Sequence, residues 1–277
     1  MTSTDTTPES VTRTEVISAE QVESFAGLVG LDPASLPKGE VPEMWHLMYL
    51  VNRPPTSEIG PDGHPTTGIP APAEPGMRRM FAGGRVTTYR RLRIGEEATR
   101  TTKVISSVTK EGRSGKLLIV TVRSEFTQGG ELAIAEEQDI VYRAPGGGSL
   151  PRTVPSDEPL PEREGRIDLA VDEPLLFRFS ALTYNAHRIH YDHNWARHEG
   201  YDDLVIHGPL QAILMSEVAR RAGVDLAGRE FAYRLVSPAV GPQTVAALAA
   251  EEGVEAGAET RSAAGTVTAT STWTKPE

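Results

Sequence analysis

The sequence predicts an α+β protein in which an antiparallel sheet wraps around a helix, twice over in one chain. Three observations carry that expectation. A segment from Ala144 to Gly165 holds five prolines and four glycines, too many for a helix or a central strand, and it separates two halves. Each half holds a helical pattern followed by several β-rich runs. Glycines fall between the runs of the first half, where hairpins need them. The order of elements, rather than identity between the halves, points to a pseudo-dimer.

The elements follow in chain order. Residues 1–15, rich in Ser, Thr and Glu with no basic start and no apolar run, are expected to be a disordered tail and not a secretory signal. Ser18 with Gln21 makes a capping-box pattern, and Val22, Phe25, Ala26 and Val29 then recur at helical spacing, so a helix is expected over 18–30. Pro42 opens the apolar run EMWHLMYLV, read as a second, short helix. Seven prolines and four glycines between Pro54 and Gly76 describe a long covering loop, a usual seat of function. Strands are expected near Arg85–Ile94, Ala98–Thr109, Leu117–Thr127 and Leu132–Tyr142, closing the first domain, 16–143.

After the linker, 144–165, the second domain covers 166–277. Leu175–Phe179 reads as a short strand and Thr183–His193 as a His-rich loop. Gly208–Ala222 is an apolar helix opened by Gly-Pro, with Leu210, Ile213, Leu214 and Val218 as its buried stripe. Strand-like runs near Phe231–Val236, Thr244–Glu251 and Gly265–Trp273 complete the plan.

Composition limits the chemistry. The 277 residues include no cysteine, which excludes disulfides, thiolate nucleophiles and Cys-ligated zinc and suits a cytoplasmic protein. A net charge of −10, from 28 basic and 38 acidic residues, argues against nucleic acid or anionic lipid as partner. No run of 18 apolar residues occurs, so no membrane partner is expected. Any anionic ligand must meet a local basic patch.

Four of the seven histidines fall between residues 187 and 198. His187, His190 and His193 with Asp192 could ligate a metal, but i, i+3, i+6 spacing fans across a helix, and the expectation is that no metal is held. Alternatively these are surface or structural histidines. A third reading starts from the neighbours. Asn185 lies five residues before His190, and His207-Gly208-Pro209 opens the apolar helix. A helix N-terminus offers free backbone N–H groups and a positive dipole end, where a developing oxyanion is stabilised. Pro209 cannot donate, which leaves the Gly208 N–H beside a general base.

Those residues carry a resemblance. TYNAHRIHYD with IHGPL, and in the first half PEMWHLMYL, SEIGPDGHP, RRMFAGGR and EEQDIVYR, are similar to the MaoC-like type 2 hydroxyacyl-thioester dehydratases, most of all to the branch with the 3-methylfumaryl-CoA (mesaconyl-C4-CoA) hydratases. The resemblance spans about residues 18–274 and implies a double hot-dog fold and a hydro-lyase that adds water to, or removes it from, an enoyl/3-hydroxyacyl thioester of CoA or a carrier protein. It implies no cofactor and leaves room for a homodimer. By position, His190 matches the family's catalytic histidine, Gly208 the glycine whose N–H binds the thioester oxygen, and Ser216 a serine supporting the site. Its alternative is an ordinary helix serine bonded to the preceding turn. Asn185 stands where the wider family has Asp, and an amide can position but not ionise. For the free carboxylate of a dicarboxylic monothioester, Arg78 or Arg79 is the expected cation. Arg90, Arg91, Arg93, Arg220 and Arg221 are further candidates for phosphate. A thioesterase, or a non-catalytic thioester-binding subunit, is the competing expectation.

Overall fold

A computed structural model describes residues 10–69, 77–112, 115–143 and 160–274. The first half contributes β1 (Val11–Val16), α1 (Ala19–Val29), β2 (Arg78–Thr88), β3 (Glu97–Gly112), β4 (Gly115–Gln128) and β5 (Glu131–Arg143). The second contributes β6 (Ile167–Val171), α2 (Glu173–Thr183), α3 (His193–His198), α4 (Gly208–Arg221), β7 (Glu230–Leu235), β8 (Gln243–Ala249), β9 (Ala258–Arg261) and β10 (Val267–Thr274). All ten strands form one antiparallel sheet in the order β1-β3-β4-β5-β2-β7-β10-β9-β8-β6.

The halves meet along β2 and β7, where Gly83 pairs with Arg234 and Gly84 with Tyr233. Glycine is required there. Gly83 has φ +145°, and a Cβ on it would lie 2.3 Å from the Tyr233 carbonyl oxygen; one on Gly84 would lie 2.2 Å from that of Glu137. A bulge between Phe81 and Gly83 bends the strand at this joint.

Local chemistry explains most boundaries. Ser18 caps α1 by accepting from the Glu20 N–H, and Gly30 ends it in the left-handed region at φ +70°. Asp172 caps α2 by accepting from the Leu175 N–H, with Pro174 in the first turn. Helix α4 lies on β8, β9 and β10 and buries almost its whole surface, including Leu210, Ile213, Leu214 and Val218.

Several expectations are corrected. Residues 11–15 belong not to a disordered tail but to β1, paired with β3 from Val11↔Thr102 to Val16↔Glu97. Its Thr-rich composition reads as disorder, yet an edge strand needs only one partner, and the Thr14 and Thr99 hydroxyls hydrogen-bond across the pair at 2.8 Å. Leu175–Phe179 is helical, and the alternating strand lies just before it at Ile167–Val171. Strand β9 was not anticipated, and β2 begins at Arg78 and ends at Thr88 rather than running from Arg85 to Ile94. The run after Pro42 is a single 3-10 turn, Trp45–Met48.

That turn, not a long helix, is what lies on the sheet of the first half: the His46 ring meets Phe126 of β4 at 5.1 Å. Helix α1 packs instead on α2, with Phe25 4.6 Å from Trp45 and 6.1 Å from Phe179. One core cluster therefore holds Phe25 and Trp45 together with Phe179 and Ile213. Across the same boundary the Trp45 indole N–H donates to Glu217 of α4 at 3.1 Å. Residues 144–159 of the expected linker lie outside the described residues. Among the described residues no helix is long and apolar enough to cross a membrane.

Candidate active site

The segment after α2 makes a left-handed turn at Tyr184 (φ 51°) and an Asx turn in which Asn185 Oδ1 accepts the His187 N–H at 3.0 Å. A 3-10 turn, Arg188–His190, then aims the His190 ring inward. His190 Nδ1 lies 2.7 Å from the Val205 carbonyl oxygen. A carbonyl only accepts, so Nδ1 carries the proton and Nε2 keeps its lone pair. Burial pushes the His190 pKa down to about 3, with nearby His187 adding to the effect. The imidazole is neutral across the physiological range, with its Nε2 lone pair available.

The His190 ring stacks on His207 at 3.6 Å and 17°. His207 is the N-cap of α4, so the His190 ring sits against that helix's N-terminus. Gly208, the first helical residue, is buried, and its N–H makes no hydrogen bond among the described residues. A Cβ there would come within 2.3 Å of the Leu235 side-chain tip and 3.2 Å of the Phe81 ring, so side chains of β7 and β2 close over the helix end and a larger residue would have to push them aside. His190 and Gly208 are thus brought together as the sequence expected. Asn185 holds the intervening loop, its oxygen already accepting one hydrogen bond.

Other expected residues fall differently. The Ser216 hydroxyl donates to the Ile213 carbonyl at 2.8 Å and the Glu43 carbonyl at 3.2 Å, the turn-bonded alternative with an added link to the first half. Arg78 and Arg79 are consecutive on β2 and face opposite sides of the sheet. Arg78 lies by Gly200. Arg79 lines a cleft of about 440 Å³ that also exposes Arg13, Arg53, Arg100 and Lys103. Arg13 and Arg53 share Glu15, and Arg100 donates to the Ser124 hydroxyl; Arg79 has no hydrogen-bonding or ionic partner among the described residues. The remaining arginine clusters are occupied: Arg91 by Glu43 and Asp225, Arg90 by Glu131, Arg93 by Glu96, Arg220 by Glu217 and Arg221 by the Arg166 carbonyl.

The metal candidates do not assemble as a set. His193 pairs with Asp203 at 2.7 Å, and Asp192 caps α3 and holds Arg188. Three neighbours went unseen in the sequence. The His187 ring is 3.4 Å from Glu199, whose carboxyl burial would raise but hydrogen bonds from His187 and Trp195 keep low. His207 Nε2 contacts the Ser180 hydroxyl at 2.9 Å, and burial drives the His207 pKa well down. From the first half, His64 brings its ring to 4.0 Å from His187 and holds Asp62 at 3.0 Å. Burial lowers the His64 pKa to about 4; for Asp62, burial acts upward but the hydrogen bonds from His64 prevail, leaving it at about 2. The Asx pattern at Asp62 was the local signal; its partner in the other half was not legible.

A family model, hydroxyacyl-thioester dehydratase type 2, matches residues 44–241, most of the chain. The chain belongs to that family. A mesaconyl-C(4)-CoA hydratase of Chloroflexus aurantiacus is 44% identical over 208 residues, 74% of each chain. A mitochondrial hydroxyacyl-thioester dehydratase type 2 of Schizosaccharomyces pombe is 25% identical over 236 residues, covering 76% of this chain and 77% of the relative. Among solved structures, a MaoC-like dehydratase from Phytophthora capsici aligns at TM-score 0.67 and 18% identity over 98% of this chain and 97% of its own. A Mycobacterium tuberculosis protein with a double hotdog fold aligns at TM-score 0.54 and 12% identity over 97% and 94%. The type 2 dehydratase fold is therefore a double hot-dog in this chain, with the long central helix found, among the described residues, in the second half.

Proposed function

We propose that the protein is a hydro-lyase that adds water reversibly across the double bond of an enoyl thioester, giving a 3-hydroxyacyl thioester. The observation that carries the reading is the His190 ring, its Nδ1–H fixed on the Val205 carbonyl, stacked against the N-terminus of α4 where the Gly208 N–H is free. Water attacks the β-carbon as His190 Nε2 takes one of its protons. The π electrons move toward the thioester carbonyl, whose oxygen the Gly208 N–H and the helix dipole stabilise. His190 then returns the proton to the α-carbon. Dehydration is the reverse. Asn185, an amide, orients and never ionises, and Ser216, with its one proton on main-chain carbonyls, offers a ligand only lone pairs.

The substrate class is supported by the 44% identical relative, which is named for mesaconyl-C(4)-CoA. A dicarboxylic monothioester such as 3-methylfumaryl-CoA carries a free carboxylate, and Arg79, unpaired in a cationic cleft, is the cation to receive it. The thioester is carried by CoA or by a carrier protein, and no cofactor takes part. Pairing into a homodimer belongs to the same proposal and is decided by sedimentation.

The test is loss of enoyl absorbance with crotonyl-CoA and with mesaconyl-type thioesters. Wild type hydrates them, and His190→Ala loses at least about 10²-fold in kcat, the contribution of a positioned general base. Asn185→Asp keeps measurable hydration with an altered pH profile. Release of free thiol would reveal a thioesterase, binding without turnover a scaffold subunit, and near wild-type turnover by His190→Ala would remove the assignment.

A further inference from the structure

The turn Asp62-Gly63-His64 is built into the His190 site from the other half of the molecule. Gly63 donates to the Gly60 carbonyl and Gly60 to that of His64, closing the turn. The Arg188 N–H donates to the Asp62 carbonyl at 2.9 Å, and the Arg188 guanidinium to the Pro61 carbonyl at 3.1 Å. Gly63 presses so closely on the loop that carries Asn185 that a Cβ on it would lie 1.7 Å from the Ala186 carbonyl oxygen. Such packing fixes the His64 ring at 4.0 Å from His187, which in turn meets His190 edge-on at 5.5 Å.

Asp62 binds His64 twice, its Oδ1 accepting the backbone N–H at 2.9 Å and its Oδ2 facing ring Nδ1 at 3.0 Å. An ionised carboxylate only accepts, so the His64 proton sits on Nδ1 and Nε2 presents a lone pair. His190 has the same arrangement with a carbonyl in place of the carboxylate. Two neutral imidazoles, each with its tautomer fixed from behind, therefore flank His187.

The chemistry asks for both. The attacking water has two O–H bonds. One breaks, its proton passing to His190 Nε2, and the other stays intact on the product hydroxyl. Once substrate covers the reacting water, that second O–H also needs an acceptor. A carboxylate at position 185 would supply it with a full charge and a second oxygen, whereas Asn185 is uncharged and already spends one lone pair of its single oxygen on the His187 N–H. We propose that His64 Nε2 is the second acceptor for the reacting water, with Asp62 as its positioning residue, so that the first half of the chain completes the reaction centre where Asn185 leaves it short. No bond to His64 is made or broken; it accepts the spectator O–H of the water in hydration and of the substrate hydroxyl in dehydration. The inference rests on the hydration reading above.

The experiment compares wild type with His64→Ala, His64→Gln, Asp62→Asn and the double variant His64→Ala/Asn185→Asp on an enoyl-CoA, with thermal melts confirming the fold. His64→Ala lowers kcat by about 10²-fold with KM within about threefold, the pattern of an interaction made at the reacting atoms. Asp62→Asn, which lets the wrong tautomer form, costs at least about tenfold. Returning a carboxylate at 185 to the His64→Ala protein recovers about tenfold or more, a rescue that a merely structural role does not allow. Wild-type kcat in folded His64→Ala overturns the proposal, as does a double variant no faster than His64→Ala or a His64→Gln, whose amide oxygen can still accept, no faster than His64→Ala. So does activity lost to a chelator and restored by Zn²⁺, because the donor atoms of Asp62, His64 and His187 all lie within 4.8 Å of one another. A wild-type protein that hydrates no enoyl thioester overturns the parent reading instead.

Discussion

Arg79 shows what one residue contributes that its neighbour cannot. Strand geometry turns Arg78 and Arg79 to opposite faces, and burial works against the Arg79 charge more strongly than nearby Tyr142 and Asp62 favour it, so its pKa is lowered. An anion that enters the cleft relieves that cost. Arg79→Gln is therefore expected to raise KM for a dicarboxylic monothioester by about tenfold or more, a loss of roughly 1.4 kcal/mol or greater, while leaving crotonyl-CoA nearly unaffected. Arg78→Gln is expected to change neither. Steady-state kinetics on the two substrates decide it, and equal effects on both would refute the carboxylate role. The sequence could name the pair but not choose between them, because register and sheet face are set by β5 and β7 on either side. The placement of His190 against the start of α4 was legible, since both lie in one stretch of the chain around the His-rich loop and the Gly-Pro helix start. The Asp62–His64 pair was not, since its meaning depends on contact with a distant loop.

Among elements, the joint between β2 and β7 has the least freedom. Gly84 pairs with Gln138 on one side and Tyr233 on the other, with the Glu137 carbonyl oxygen 2.2 Å from any Cβ. Gly84→Val must push a backbone strand aside, and a cost of about 3 kcal/mol or more is expected from overpacking and lost ladder hydrogen bonds. Urea unfolding measures it, and a midpoint within error of wild type would show that the joint yields. Hydration should fall as well, because Phe81 and Leu235, on these same strands, close over Gly208. Helix α2 teaches the reverse lesson about legibility. Its apolar run LLFRF fits a short strand as well as a helix, and the deciding signal was the Asp-Glu-Pro start, which supplies a side-chain cap and a preset first turn. The double plan itself was readable from the order of elements, but not the replacement of the first half's helix by the turn at Trp45.

Taken whole, the molecule stacks neutral imidazoles at its centre, and that sets its response to acid. His190, His207 and His64 all have folded pKa values below 6.5, chiefly through burial. The unfolded chain takes up protons at these positions near pH 6.5 and the folded one does not. Stability is thus complete above about pH 6.5 and falls as pH drops from there toward about 4, by roughly 1.4 kcal/mol per pH unit for each histidine. Asp62, depressed to about 2, acts in a lower window, its contribution fading only as pH falls from about 4 toward 2. Urea midpoints at pH 7, 6 and 5 should decline, and His190→Gln should flatten the slope; a constant midpoint would mean that the buried rings are protonated in the folded state. The asymmetry of the halves has one more consequence. Among the described residues α4 is the helix that presents its mouth to an imidazole, while the matching place in the first half is filled by Trp45 and His46. A chain drawn on a duplicated plan is then a single-occupancy device, titrating with one equivalent of thioester analogue rather than two.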